Sequence, residues 1–151
     1  MAVDFSKFDD QIDINEVNKK VQEAKDNGAY EDVPKGTYTC SIEKMELGAT
    51  KKEGKPMFTL ALRIKEGKQK KRMLFMNRVI FGTKNDGNMI QSVITILEKL
   101  VPDEQITFRG YEKFADKIAD IFEEVQGNVE VDVDWDADAF NSISIKEVYD
   151  I

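Results

Sequence analysis

Residues 36–65 decide the fold, and they read GTYTCSIEKMELGATKKEGKPMFTLALRIK. Apolar and polar side chains alternate from the start of this stretch, which is typical of a β-strand with one buried face. The apolar positions change parity between Ile42 and Met45, and this change predicts a bulge near Glu43 and Lys44 in the first strand. After a lysine-rich loop, a second strand carries apolar residues at alternate positions: Phe58, Leu60, Leu62 and Ile64.

The spacing of apolar residues also indicates the elements outside this stretch. It predicts a helix over 14–26, a strand over 71–81, helices over about 88–100 and 111–126, and strands over 129–135 and 143–148. Asp13 is the predicted N-cap of the first helix, because its side chain can accept a hydrogen bond from the free amides of the first turn. Asn27 and Gly28 are its predicted end.

Five short strands with a helical connection between the third and the fourth have the order of an OB-fold barrel. We therefore predict a mainly β fold with helices, of the α+β class. It is a five-stranded OB-fold barrel with helices between strands three and four and an N-terminal helix. Residues 1–34 form an N-terminal helical appendage in this prediction, and residues 35–151 form the OB-fold, nucleic-acid-binding domain. An α+β sandwich of the same elements stays open, because element order does not determine whether a sheet closes.

The composition excludes several classes of function. The 151 residues contain no histidine and a single cysteine, Cys40. Histidine-based catalytic triads, imidazole zinc sites and an internal disulfide are therefore excluded. No apolar run approaches the ~20 residues of a membrane span, and residues 1–10 lack the basic and apolar regions of a secretion signal. We expect a cytoplasmic, non-catalytic binding protein that uses no metal or cofactor and does not contact a membrane.

The net charge of −7 is distributed very unevenly along the chain. Residues 1–34 carry −5, residues 35–84 carry +9 and residues 85–151 carry −11. A block of +9 creates a local positive field that the acidic charge of the whole chain hides, so the middle block is the candidate site for a polyanion. A solvated, lysine-rich face paired with the acidic ends of the chain is the alternative.

The candidate DNA-binding residues are the cations and one aromatic ring of this middle block. Single strands need cations along the phosphate track and flat rings on which bases stack. Phe75 is expected to be exposed, because it shares its parity with Lys71 and Asn77. Phe58 and Tyr38 are expected in the core instead. The predicted DNA-binding residues are Lys51, Lys52, Lys55, Arg63, Lys65, Lys68, Lys70, Lys71, Arg72, Phe75 and Arg78.

Two acidic patterns near the end of the chain have weaker functional interpretations. Aspartates at every second position of 132–138 resemble the start of a calcium loop, but Ala137 and Ile143 replace the glycine and the bidentate acid that such a loop needs. A solvated strand face is therefore favoured. Residues 147–151 are expected to finish the last strand, and a short acidic and apolar tip that docks on a partner is the alternative.

Several short motifs, taken in order, carry a resemblance to a known family. They are Asp26-Asn27-Gly28, Tyr30-Glu31-Asp32-Val33-Pro34-Lys35-Gly36-Thr37-Tyr38, Gly54-Lys55-Pro56-Met57, Arg63-Ile64-Lys65-Glu66-Gly67 and Leu74-Phe75-Met76-Asn77. In these motifs and their spacing the chain resembles the single-stranded DNA-binding proteins in the replication modules of tailed phages that infect Gram-positive bacteria. The resemblance implies an OB-fold and sequence-independent binding of single-stranded DNA. It also implies a role in phage DNA replication and recombination inside the bacterial host cell.

Two other functions stay open beside this one. The first is a phage interaction protein that docks on a host replication or recombination enzyme through its acidic surface. The second is a metal-dependent enzyme that acts on nucleic acid. Single-stranded DNA is the expected partner, and replication or recombination proteins, or further copies of the chain in a homo-oligomer, stay open as others.

Overall fold

The computed structural model describes residues 5–26, 33–139 and 141–151. The chain divides into two compact units, Met1–Asp32 and Val33–Ile151. Among the described residues, no helix is both long enough and apolar enough to cross a membrane.

The described residues of the first unit form helices α1 over Ser6–Asp9 and α2 over Ile14–Asp26. The α2 helix confirms the predicted helix at this place. Its N-cap is also confirmed, because the Asp13 carboxylate accepts a hydrogen bond of 3.2 Å from the backbone N–H of Glu16. The predicted helix end at Asn27 and Gly28 lies outside the described residues. The assignment of 1–34 as an appendage stays a prediction.

The second unit is a five-stranded antiparallel sheet with two long helices, so the α+β class is confirmed. Its elements are β1 Gly36–Ala49, β2 Pro56–Ile64, β3 Met73–Val79, α3 Asp86–Leu100, α4 Tyr111–Val125, β4 Val129–Asp136, a short 3-10 helix Ala137–Ala139 and β5 Ser142–Asp150. The strands lie in the order β3-β2-β1-β4-β5. Each predicted strand and helix of this unit is present.

The long strand β1 is shared by both halves of the sheet. Residues 36–41 pair with β4, whereas residues 40–49 pair with β2. The pairing with β2 shifts register between Ile42 and Lys44, which confirms the predicted bulge. The bulge explains why the buried side chain is Ile42 before it and Met45 after it, because one extra residue reverses the parity of a strand.

The inner face of the sheet packs against α3 and α4 to form one apolar core. The predicted inward face of β2 is confirmed, since its four alternate apolar residues are almost completely buried. Cys40 on β1 is also buried, and this burial raises the pKa of its thiol to about 12. Trp135 on β4 closes one end of the core, where its indole N–H donates a 3.0 Å hydrogen bond to the Val33 carbonyl.

The two edges of the sheet, β3 and β5, approach each other through side chains. The backbone N–H of Ile143 on β5 points at the sulfur of Met76 on β3, at 3.4 Å. The ammonium of Lys99 on α3 donates to the Ile145 carbonyl at 2.5 Å. Among the described residues β3 and β5 are not paired with each other, so the sheet is open and a closed barrel is not confirmed.

Candidate nucleic-acid interface

The outer face of β2 and β3 carries the exposed aromatic ring that the sequence predicts. Because alternate residues of β2 point into the core, Ala61 and Arg63 point outward. The strand register places Phe75 of β3 directly opposite Ala61. Phe75 is 49% exposed, which confirms the prediction. Ala61 is buried although it lies on this outer face, whereas about half of the Phe75 side chain stays accessible.

Arg63 is held on the same face as Phe75 by two contacts. Its Nε lies 3.4 Å from a carboxylate oxygen of Glu43 on β1, and its Nη1 donates to the Lys71 carbonyl at 3.2 Å. Glu43 also accepts a hydrogen bond of 2.9 Å from the Ser41 hydroxyl. These contacts fix the guanidinium on the same outer face as the ring, where its charge is paired with that of Glu43, and its Nη2 is still able to donate to a phosphate.

The loop between β1 and β2 presents lysines at one end of this face. The loop is closed by hydrogen bonds of 2.9 and 3.0 Å between Thr50 and Lys55. Lys55 forms an ion pair of 2.8 Å with Glu53, and this contact lowers the pKa of the Glu53 carboxyl. Lys51 and Lys52 are exposed, and neither forms an ion pair with any of the described residues.

The turn between β2 and β3 presents a second group of cations at the opposite end. The turn is anchored to β1, because the Lys65 amide donates to the Thr39 carbonyl at 2.9 Å. Lys71 has a φ of 74°, in the left-handed region that residues other than glycine rarely adopt. Arg72 donates to the Gln69 side chain at 3.2 Å. The exposed cations of this turn are Lys65, Lys68, Lys70 and Lys71.

The predicted cations form a track rather than one compact patch. The two connections lie at opposite ends of β2, a strand of nine residues, so they are about 30 Å apart at roughly 3.3 Å per residue. Arg63 and Phe75 lie between them. An extended polyanion is the ligand that such a track suits, since a compact anion could reach only one end.

Arg78 is the predicted residue that the structure places elsewhere. It shares its parity with the buried Leu74 and Met76, on the side of β3 that faces away from Phe75. It lines a groove of about 320 Å³ between β3, α3 and β5, and Lys99 lines the same groove. Partial burial lowers the pKa of its guanidinium. Arg78 therefore does not belong to the outer face of β2 and β3.

Lys44 belongs to this face, although it is absent from the predicted set. It lies opposite Ala61 on β1, two strands from Phe75, and its ammonium is 3.1 Å from the Glu46 carboxylate. The bulge in β1 turns Lys44 outward. The parity change seen in the sequence was the signal that could have found it.

The outer face of β4 and β5 has the opposite charge. Thr37 and Thr39 of β1 each donate a 2.6 Å hydrogen bond to an aspartate of β4, Asp134 and Asp132 respectively. The Tyr149 hydroxyl lies 2.6 Å from Asp132 and 2.7 Å from Glu147. These hydroxyls lower the pKa of Asp132, and the neighbouring carboxylates, Asp132 first, raise the pKa of Tyr149.

Residues at the end of the chain belong to this acidic face as well. Glu147, Val148, Tyr149 and Asp150 all pair with β4, and the Ile151 amide donates to the Asn128 carbonyl at 3.0 Å. The expectation that they finish the last strand is confirmed. The expectation of a solvated strand face for the aspartates agrees with their partial or full exposure.

Together, the fold and this site define a small α+β protein whose open sheet has one basic, aromatic outer half and one acidic outer half. The chain belongs to the family described as protein of unknown function (DUF669), which matches residues 12–149. The match spans α2, both long helices and the five strands. No curated protein matches the chain.

Proposed function

We propose that the chain is a sequence-independent single-stranded DNA-binding protein. It acts without catalysis in phage DNA replication and recombination, in the cytoplasm of a bacterial host cell. The observation that carries the proposal is the half-exposed ring of Phe75, which lies on the same outer face as Arg63 and between two lysine-bearing connections. Rings supply stacking surfaces that accept any base, and cations follow the phosphates.

The strand arrangement supports an OB-fold as part of this proposal. Each neighbouring pair in the order β3-β2-β1-β4-β5 is antiparallel, so the edge strands β3 and β5 run in the same direction. They meet at Met76 and Ile143, and the helices connect β3 to β4. A partly open five-stranded barrel of this kind binds oligonucleotides on its β2–β3 face. That is the face on which Phe75 and Arg63 lie.

The preference for single strands follows from the chemistry of the ring. Bases in a duplex are stacked on each other and leave no face for Phe75, whereas unpaired bases expose a face on which the ring can stack. Phosphate contacts alone would hold duplex and single strand alike. We therefore expect tighter binding to single strands than to duplex of equal length at moderate salt.

Fluorescence anisotropy with a labelled dT oligomer, over a salt series, tests the proposal. The logarithm of the association constant should fall linearly with the logarithm of salt, by about 0.7 per phosphate neutralised. Phe75→Ala should weaken binding about tenfold or more, since stacking of one base contributes about 1–3 kcal/mol. Phe8→Ala is the matched control, because Phe8 is a similarly exposed ring on α1. Equal loss in both variants, or equal affinity for duplex, would contradict the proposal.

A second candidate function is docking on a host replication or recombination enzyme. The acidic outer face of β4 and β5, with Asp134 and Glu147 exposed, favours it. The double variant Asp134→Asn/Glu147→Gln separates the two functions. It should abolish binding to a purified host enzyme if docking is the function, whereas it should leave binding to that enzyme unaffected and raise single-strand affinity slightly if DNA binding is the function.

A further inference from the structure

A second cluster of cations lies within the otherwise acidic last block of the chain. Arg109, Lys113 and Lys117 are three of the five basic residues in 85–151. All three line one cleft of about 280 Å³ at the start of α4, together with the Phe114 ring. Lys113 and Lys117 are four residues apart on α4 and therefore lie on one side of the helix, whereas Arg109 precedes its N-cap, Gly110.

Two of these cations keep their charge free for a ligand. Lys117 is paired with Glu104 at 3.0 Å. Arg109 and Lys113 are exposed, and within the described part of the chain their side chains form no hydrogen bond or ion pair. Glu112 lies one residue away on the helix, about 100° around its axis from Lys113, so it points along a different side.

A chain of ring contacts connects this cleft to the end of β3. Phe108 packs edge-on against Phe114 at 5.4 Å and against Tyr111 at 5.0 Å, and Tyr111 packs edge-on against Phe81 at 5.7 Å. The Tyr111 hydroxyl also donates to the Ile80 carbonyl at 2.9 Å. The start of α4 is therefore fixed beside the end of the strand that carries Phe75.

Phe81 links the cleft to the lysine loop. Its ring is 49% exposed although it packs against Tyr111. The ammonium of Lys55 lies beside Gly82, so close that a Cβ at that glycine would be 3.2 Å from it. The loop cation, the exposed ring and the cleft cations are thus connected in this order within the second unit, through Gly82, Tyr111 and Phe108. This continuity favours a nucleic acid over an acidic peptide, since it alternates cations with a stacking ring.

We infer that a single strand leaving the outer face of β2 and β3 continues over Phe81 and places phosphates on Arg109 and Lys113. The inference rests on the proposed function and extends its site. The full path runs from the turn between β2 and β3, past Phe75 and the loop between β1 and β2, to the cleft. A long oligomer uses both parts of the path, whereas a short one uses only the first.

The double variant Arg109→Ala/Lys113→Ala tests this extension against the matched control Lys20→Ala/Lys146→Ala. Both variants lose two exposed positive charges. Anisotropy with a dT oligomer of about 25 nucleotides should show the salt slope of the first variant reduced by about 1.4 and its affinity by about tenfold, because two phosphate contacts are lost. With an oligomer of about 6 nucleotides, the loss should be twofold or less. The control should change neither slope.

The outcomes separate this inference from the proposed function. Wild-type protein that binds neither oligomer overturns the proposed function itself. Wild-type binding with an unchanged slope in the Arg109/Lys113 variant overturns the extension alone, and so does an equal loss on the short oligomer. Phe81→Leu gives an independent check, since it removes the stacking ring but no charge. It should weaken binding of the long oligomer several-fold and leave the salt slope unchanged.

Discussion

The two halves of the outer sheet face use the same kind of cross-strand pair with opposite electrostatic results. In the β2–β3 half, the Thr59 hydroxyl donates to the side-chain oxygen of Asn77 at 2.8 Å. In the acidic half, the Thr39 hydroxyl of β1 donates in the same way to Asp132 of β4 at 2.6 Å. The geometry of the pair is alike, but the acceptor is neutral in one half and charged in the other. The acceptor therefore adds negative charge to the half that contains β4 and none to the half that contains β3.

The shared strand β1 lets one sheet carry both characters. Its first residues pair with β4, whose aspartates accept hydrogen bonds from its threonine hydroxyls. After the bulge at Glu43, β1 pairs with β2. On the proposed function, the acidic residues of β4 repel phosphate and so direct a strand toward the basic half. The negative net charge of the chain is therefore compatible with DNA binding, because the positive and the negative side chains lie on different halves of the outer sheet face.

The largest expected effect comes from reversing the charge of the loop in the basic half. Lys51→Glu/Lys52→Glu/Lys55→Glu should weaken binding to single strands by about a hundredfold or more, since phosphate contacts are replaced by repulsion. Loops carry little of the stability of a fold, so the circular dichroism spectrum should stay unchanged. The control Lys7→Glu/Lys19→Glu/Lys20→Glu changes the net charge equally on the first unit. Unfolding of the loop variant would show that the loop is structural.

An exchange of one charge between the halves should have a smaller effect. Asn77→Asp keeps the acceptor for Thr59 but places a carboxylate beside Phe75, so single-strand affinity should fall about fivefold. Asp134→Asn is the reverse change in the acidic half, and affinity should rise by about twofold. Anisotropy at low and high salt measures both. If the two variants change affinity in the same direction, the contrast between the halves is wrong.

The smallest effect concerns pH in the acidic half. Tyr149 has a raised pKa, so its contribution to stability is present below its ordinary pKa of 10.0 and is lost as pH rises above that value. Asp132 has a lowered pKa, so its contribution is present above its ordinary pKa of 3.8 and is lost as pH falls below that value. Solvent exposure keeps both contributions small.

Urea unfolding of Tyr149→Phe and of the unchanged protein measures this dependence. The variant should lose less stability than the unchanged protein between about pH 9 and about pH 12, because it lacks the titrating hydroxyl. Identical pH profiles at the alkaline end would show that the contact between Tyr149 and Asp132 does not contribute to stability. DNA affinity at neutral pH should be the same in both proteins, because Tyr149 lies in the acidic half.

Alternation of apolar residues was sufficient to predict most of the fold. The parity change between Ile42 and Met45 located the bulge, because only an inserted residue can reverse the buried face of one strand. Strand β3 was harder, because both of its faces are partly apolar: Met73 and Val79 lie on one, Leu74 and Met76 on the other. The orientation of Arg78 therefore could not be decided from its spacing.

Contacts between segments that are distant in the chain could not be predicted from the sequence. The Ile143 amide points at the sulfur of Met76 across the two sheet edges, and no local pattern indicates this contact. The placement of Arg109 beside the ring chain from Phe81 depends on how α4 packs against the end of β3. The cations of the candidate site were found from charge alone, and their separation into two ends of β2 followed only from the strand pairing.

Ultraviolet cross-linking to a dT oligomer, with the attached peptides identified by mass spectrometry, tests the central claim most directly. A ring that stacks on a thymine becomes covalently attached when irradiated, so the map reports which face the strand occupies. We expect cross-links at Phe75 and, with long oligomers, at Phe81, and none on β4 or β5. Cross-links concentrated at Tyr149 and its neighbours, with Phe75 unmodified, would contradict the assignment of the β2–β3 face as the DNA-binding surface.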